Sequence, residues 1–122
     1  MSEWGHKELG RIGGARQLEI STARRDGTFR SYITIWVVRI SDGIYIRAYR
    51  GRDGSWFRQA LRDRRGRIRA DGLERDVFFE EADNALRGFI DAAYRAKYGC
   101  GVYVDAMIAS TAAEATLELV PE

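Results

Sequence analysis

The chain has 122 residues, 45% hydrophobic and 31% charged, an ordinary globular balance that can bury a core without metal or disulfide staples. One cysteine, Cys100, excludes an internal disulfide, and that cysteine with one histidine, His6, excludes an ordinary zinc site or a histidine-based triad. No apolar run approaches the roughly 18 residues needed to span a bilayer, and the opening MSEWGHKELG is charged, so the expectation is one cytoplasmic domain over 1–122 with no membrane partner.

In chain order, HKELGRIG (6–13) predicts a short helix stopped at Gly13-Gly14. QLEISTARR (17–25) alternates as a strand, and Asp26-Gly27 signals a hairpin turn. FRSYITIWVVRI (29–40) is rich in β-branched and aromatic residues and predicts one long strand. Asp42-Gly43 turns it into a partner, GIYIRAYR (43–50). At 55–64 the period becomes helical, with Trp56, Phe57, Ala60 and Leu61 on one side and Ser55 placed as N-cap. RGRIRADG (65–72) and LERDVFFEEA (73–82) predict two more strands. The segment 83–98 predicts a helix with a stripe of Leu86, Phe89, Ile90 and Ala93, stopped by Gly99. A shorter helix over 103–110 and a strand over 115–121 complete the chain. Hairpin-length connections favour antiparallel pairing, so the expected fold is mainly β with helices (α+β): a small antiparallel split β-barrel of about six strands with helices packed outside.

The charge is uneven. Residues 1–70 carry 16 basic and 7 acidic side chains, whereas residues 71–122 carry 4 and 11. The basic half suits an anionic ligand, or the acidic half of the same or a second chain. The stretch YIRAYRGRDGSWFRQALR (45–62) concentrates this, with five arginines among four aromatic rings. Strand alternation places Ile33, Ile35 and Val37 towards a core, and Thr34 and Trp36 on the opposite side. On the next strand Ile44, Ile46 and Ala48 face the core, with Tyr45, Arg47 and Tyr49 opposite. A strip of Thr34, Trp36, Arg47 and Tyr49 results, which either floors a ligand site or packs under a helix or a second subunit. Next to it, Gly51 and Gly54 lead into the helix at Ser55, whose free amides attract anions, with Arg47, Arg50, Arg52 and Arg58 around it. Asp105 beside Tyr103 reads as a helix cap before a base, and Ser55 has no base to activate it.

ELGRIGGARQLEI (8–20), RRDGTFRSYITIWVV (24–38), YIRAYRG (45–51), SWFRQAL (55–61), GRIRADGLERDVFF (66–79), AAYRAKYG (92–99) and ATLELVP (115–121) together resemble the bacterial domain of unknown function 2255 family, over Leu9 to Pro121. The resemblance implies a split β-barrel of the flavin- and deazaflavin-binding kind. A looser likeness to deazaflavin-dependent, nitroreductase-like proteins rests on DGTFR (26–30) and GSWFRQAL (54–61), with Gln59 where those relatives carry Asn and no proline after the first turn. By that likeness Thr28, Arg30, Trp56 and Arg58 would lie near a cofactor phosphate.

The expected function is therefore binding of a small anionic aromatic ligand, foremost FMN or a deazaflavin, in an oxidoreductase-like homodimer. Arg30, Arg47, Arg50 and Arg58 would grip acidic groups near Ser55 and Thr28, Trp36, Tyr49 and Trp56 would bracket a ring, and Tyr49 is also the candidate catalytic proton donor. The alternative is a cofactor-free binding protein or tailoring enzyme, such as a cyclase, acting on an anionic aromatic metabolite. No metal is expected, and nucleic acid is disfavoured as a partner because the acidic second half would repel its backbone.

Overall fold

The computed structural model describes residues 3–122. Its elements are α1 (His6–Gly14), β1 (Leu18–Thr22), β2 (Ile33–Ile35), β3 (Val38–Ile40), β4 (Gly43–Arg47), α2 (Ser55–Asp63), β5 (Arg65–Ala70), β6 (Leu73–Glu81), α3 (Arg87–Tyr98), α4 (Val102–Ile108), α5 (Ser110–Ala113) and β7 (Thr116–Pro121). One-turn 3-10 helices at Gly51–Asp53 and Asn84–Leu86 precede α2 and α3. No helix among the described residues is long and apolar enough to cross a membrane.

The seven strands form one antiparallel sheet in the order β2-β1-β5-β6-β7-β4-β3. Its two edge strands, β2 and β3, are consecutive in sequence, so the sheet curls until one short segment serves both edges. This is the expected split barrel, with seven strands rather than six. The additional strand comes from residues 29–40, which do not run as one piece. Ile33–Ile35 pairs with β1, whereas Val38–Ile40 pairs with β4.

Val37 sits at that break, and strand pairing leaves its backbone polar groups to find other partners. Tyr98 and Lys97, at the end of α3, supply them. The Val37 N–H donates to Tyr98 Oη at 3.0 Å, while the Val37 carbonyl accepts from Lys97 Nζ at 2.6 Å. Lys97 also donates to the Gly13 carbonyl at 3.0 Å, and Tyr98 to that of Arg16 at 2.8 Å. The split is thus pinned to α3 and to the end of α1.

Two cores result. Inside the curl lie Leu18, Ile20, Ile44, Ile46, Ile68, Val77, Phe79, Leu117 and Leu119, joined by Leu9 and Ile12 of α1 and Phe57 and Ala60 of α2. Outside it, under α3 to α5, lie Val38, Tyr45, Ile90, Tyr94, Met107 and Ala112. Both faces of β4 are therefore covered, and all five of its residues are buried. Gly66 permits this closeness within β5: a Cβ there would lie 2.4 Å from the Ser21 carbonyl oxygen and 2.6 Å from the Phe79 ring. On α3 the predicted stripe is corrected: Ile90 is buried, but Phe89 is 66% exposed, and Tyr94 packs in its place.

Candidate functional site

Between β2 and the end of β4 an open cleft of about 530 Å³ remains. Ile33, Thr34, Ile35 and Trp36 form one wall. Ala48, Tyr49 and Arg50, continuing β4, form the other. Gly54, Ser55 and Trp56 close one end, and Tyr103 and Met107 of α4 the other side.

The turn that brings Arg50 here depends on Gly51. Its φ is 77°, and a Cβ would lie 2.7 Å from Thr111 Cγ2, so this turn docks tightly under α5. α2 then starts at Ser55. Gly54, not Ser55, is the N-cap, and no side chain caps the helix. Its first-turn amides thus lack a side-chain acceptor and carry the positive end of the helix dipole. Ser55 is exposed at the first helical position.

Trp36 is half-buried and stacked on Tyr98, with ring centroids 4.1 Å apart and planes 5° from parallel. The guanidinium of Arg16 lies over the Tyr98 ring at 5.3 Å. The hydroxyl that holds Val37 and the ring that supports Trp36 therefore belong to one residue. Burial pushes the Tyr98 hydroxyl pKa up. Burial, with a smaller contribution from Arg16, holds the neighbouring Lys97 ammonium down at about 8.

Arg47 borders the cleft but is not available to a ligand, which corrects its expected role. Its side chain is fully buried on the helix-covered face of β4. There Nη1 meets Asp91 Oδ1 at 2.5 Å and the Met107 carbonyl at 2.9 Å, and Nε donates to Thr116 Oγ1 at 2.9 Å. Its guanidinium also lies 5.4 Å from the Tyr94 ring centre. The Tyr94 hydroxyl is buried without a hydrogen-bond partner among the described residues, and burial pushes its pKa far above the usual tyrosine value.

Of the nine residues singled out from sequence, Trp36, Arg47, Tyr49, Arg50, Ser55 and Trp56 line the cleft. Thr28, Arg30 and Arg58 do not. Thr28 lies in the 24–28 turn, with its hydroxyl bonded to Asp26 at 2.7 Å. Arg30 is tied to Asp63 at 3.3 Å and to the Ala23 carbonyl at 3.0 Å. Arg58 is exposed a turn further along α2. The sequence reading also missed Ile33, Tyr103 and Met107. Ile33, assigned to the core, is 42% exposed, because the edge strand turns it into the cleft. Among the described residues five large hydrophobic side chains are exposed, and three of them, Ile33, Tyr49 and Tyr103, border this one cleft. Apolar exposure concentrated in a concave site is a mark of ligand binding.

The family model described as "Uncharacterized protein conserved in bacteria (DUF2255)" matches residues 8–119. The chain belongs to this family. No curated protein matches it in sequence. Among solved structures it is similar to a candidate pyridoxamine 5'-phosphate oxidase from Listeria innocua, at TM-score 0.68 and 13% identity, covering 95% of this chain and 91% of that one. It is also similar to a FAD-binding protein from Mesorhizobium loti, at TM-score 0.59 and 11% identity over 97% and 88% of the two chains. An F420 reductase matches at TM-score 0.56 and 11% identity, over 98% and 93%. At such identities the likeness establishes the fold: this family member has the split barrel found in flavin- and F420-associated proteins.

Proposed function

We propose that the cleft binds a planar aromatic ligand with an anionic group, foremost a flavin- or deazaflavin-type cofactor, and that the protein is an oxidoreductase-like homodimer. The observation that carries this reading is the meeting of a supported indole, Trp36, with Arg50, which has no carboxylate partner among the described residues, and the start of α2, which lacks a side-chain cap, in one apolar cleft. The fold likeness to flavin- and F420-associated proteins supports it.

The residues present suit such a group. Trp36, backed by Tyr98, offers a flat surface already fixed in orientation, so stacking costs little ordering. Trp56 flanks the same space. Arg50 and the first amides of α2 would hold phosphate or carboxylate, which a guanidinium and a helix N-terminus both favour. Ile33, Ile35 and Met107 exclude water from the ring. The Tyr49 hydroxyl, at the exposed mouth, would give or take a proton. A bound flavin or deazaflavin would supply the hydride chemistry. Tyr49 and Tyr103, 56% and 67% exposed at the mouth, would be covered by a second copy.

A second reading is favoured by one observation. Asp91 neutralises Arg47, so Arg50 is the cleft-lining cation left for a ligand. A cofactor-free protein acting on an aromatic monoanion needs no more than that. Thermal shift and fluorescence titration with FMN, F420 and an aromatic carboxylate separate the readings. Ligand at a hundred times its dissociation constant should add about 2.7 kcal/mol of stability. Stabilisation by FMN or F420 supports the cofactor reading, and stabilisation by the carboxylate alone supports the second. No response to any of the three contradicts both.

A further inference from the structure

A second pocket, of about 580 Å³, lies at the β3–β4 turn and shares no lining residue with the cleft. Its polar side chains are the acids Glu118 of β7, Asp42 of the turn and Glu3, together with Ser41 and the imidazole of His6, with neither Lys nor Arg among the lining residues. Ile40 and Leu86 contribute apolar wall.

The sheet makes this pocket unusual. Four carboxylates on or beside the sheet meet arginines: Asp76 with Arg67, Glu74 with Arg69, Glu81 with Arg52 and Glu122 with Arg65. Glu118 breaks the pattern. Its cross-strand partners are Tyr45 on β4 and Glu80 on β6. Like charges placed directly opposite one another destabilise a sheet. Among the described residues neither Glu118 nor Glu80 has an ion pair. Burial, and then Glu80, push the Glu118 carboxyl pKa up.

Tyr45 is the independent sign of a ligand. It is only 6% exposed, it lines the pocket, and its hydroxyl has no hydrogen-bond partner among the described residues. Its ring is laid across Gly43, where a Cβ would lie 2.7 Å from the phenolic oxygen.

We propose that this pocket binds an organic cation, a primary amine on an apolar body, with Glu118 taking the ammonium and the Tyr45 oxygen accepting a further N–H. The apolar body rests against Ile40 and Leu86.

Calorimetric titration of the full chain with phenethylamine, n-hexylamine and agmatine, and with neutral 2-phenylethanol, tests this. At least one amine should bind and the alcohol should not. Glu118→Gln should weaken that amine tenfold or more while raising the melting temperature, because it removes a carboxylate facing Glu80. Tyr45→Phe should weaken it severalfold. The proposal is overturned if no amine binds in the millimolar range, if the alcohol binds equally well, or if Glu118→Gln binds as wild type does. It is also overturned if wild type forms a dimer that Glu118→Gln disrupts while no amine binds, since a second copy would then be the occupant.

Discussion

Along β5 and β6 the arginines are fully engaged. Arg67 holds Asp76 at 2.6 Å and lies 4.3 Å from the Phe29 ring centre; Arg69 holds Glu74 at 2.8 Å and lies 3.9 Å from that of Tyr32. In the cleft the same residue types are arranged differently. Arg50 has no carboxylate partner among the described residues, and Trp36 is stacked on Tyr98 rather than on a cation. Both regions would read from sequence as cation-aromatic surface. Whether an arginine can bind a ligand is decided by its existing partner, and that partner is a tertiary fact.

Arg47→Ala should give the largest effect. It leaves Asp91 and Thr116 without their guanidinium, and removing one member of a buried pair costs about 3–5 kcal/mol, towards the lower end here because Asp91 is 30% exposed. Urea unfolding measures this, and Arg47→Met with Asp91→Leu should recover most of it. Recovery would mark Arg47 as structural, like the β5–β6 arginines and unlike Arg50.

Tyr98→Phe keeps the stack on Trp36 but removes the hydroxyl that serves Val37 and Arg16. The cost should be about 1–3 kcal/mol, with faster hydrogen exchange at the Val37 amide. Arg50→Ala should leave stability unchanged and weaken an anionic aromatic ligand about tenfold, or about 1.4 kcal/mol, in a fluorescence titration. Arg67→Ala should cost no more than about 1 kcal/mol in urea unfolding, as partly exposed ion pairs do.

A pH effect sharpens the same contrast. Lys97 has a folded-state pKa near 8 against the ordinary lysine value of 10.5. Between these values the unfolded chain holds more protons, so this group's contribution to stability rises with pH across that window and is flat on either side. The difference between wild type and Lys97→Met in urea unfolding from pH 7 to 11 should show that rise.

The curl of the sheet, its hairpins and most element positions are legible in the sequence, because alternation and turn residues are local signals. The break at Val37 is not. Residues 29–40 read as one run of β-branched and aromatic residues, continuously apolar from Ile35 to Val38, and nothing local says that the pairing partner changes from β1 to β4. The pinning residues left a faint trace: Lys97 is one of two lysines in a chain with 18 arginines, and both it and Tyr98 fall within the AAYRAKYG segment. Arg47 was misread because period-2 alternation assigns a face but cannot say that helices cover it. Arg30 and Arg58 fell outside the cleft because nearness in sequence to a glycine turn does not fix which end of the barrel a side chain occupies. Tyr103 was noticed only for the acid beside it, although its exposed ring is the part that borders the cleft.

The most direct test of the cleft is an equilibrium titration of FMN and F420 into wild type and Arg50→Ala, followed by tryptophan fluorescence. The account predicts saturable quenching by one of the two, weakened about tenfold in Arg50→Ala. Quenching that never saturates with either ligand, or an affinity indifferent to Arg50, would contradict it.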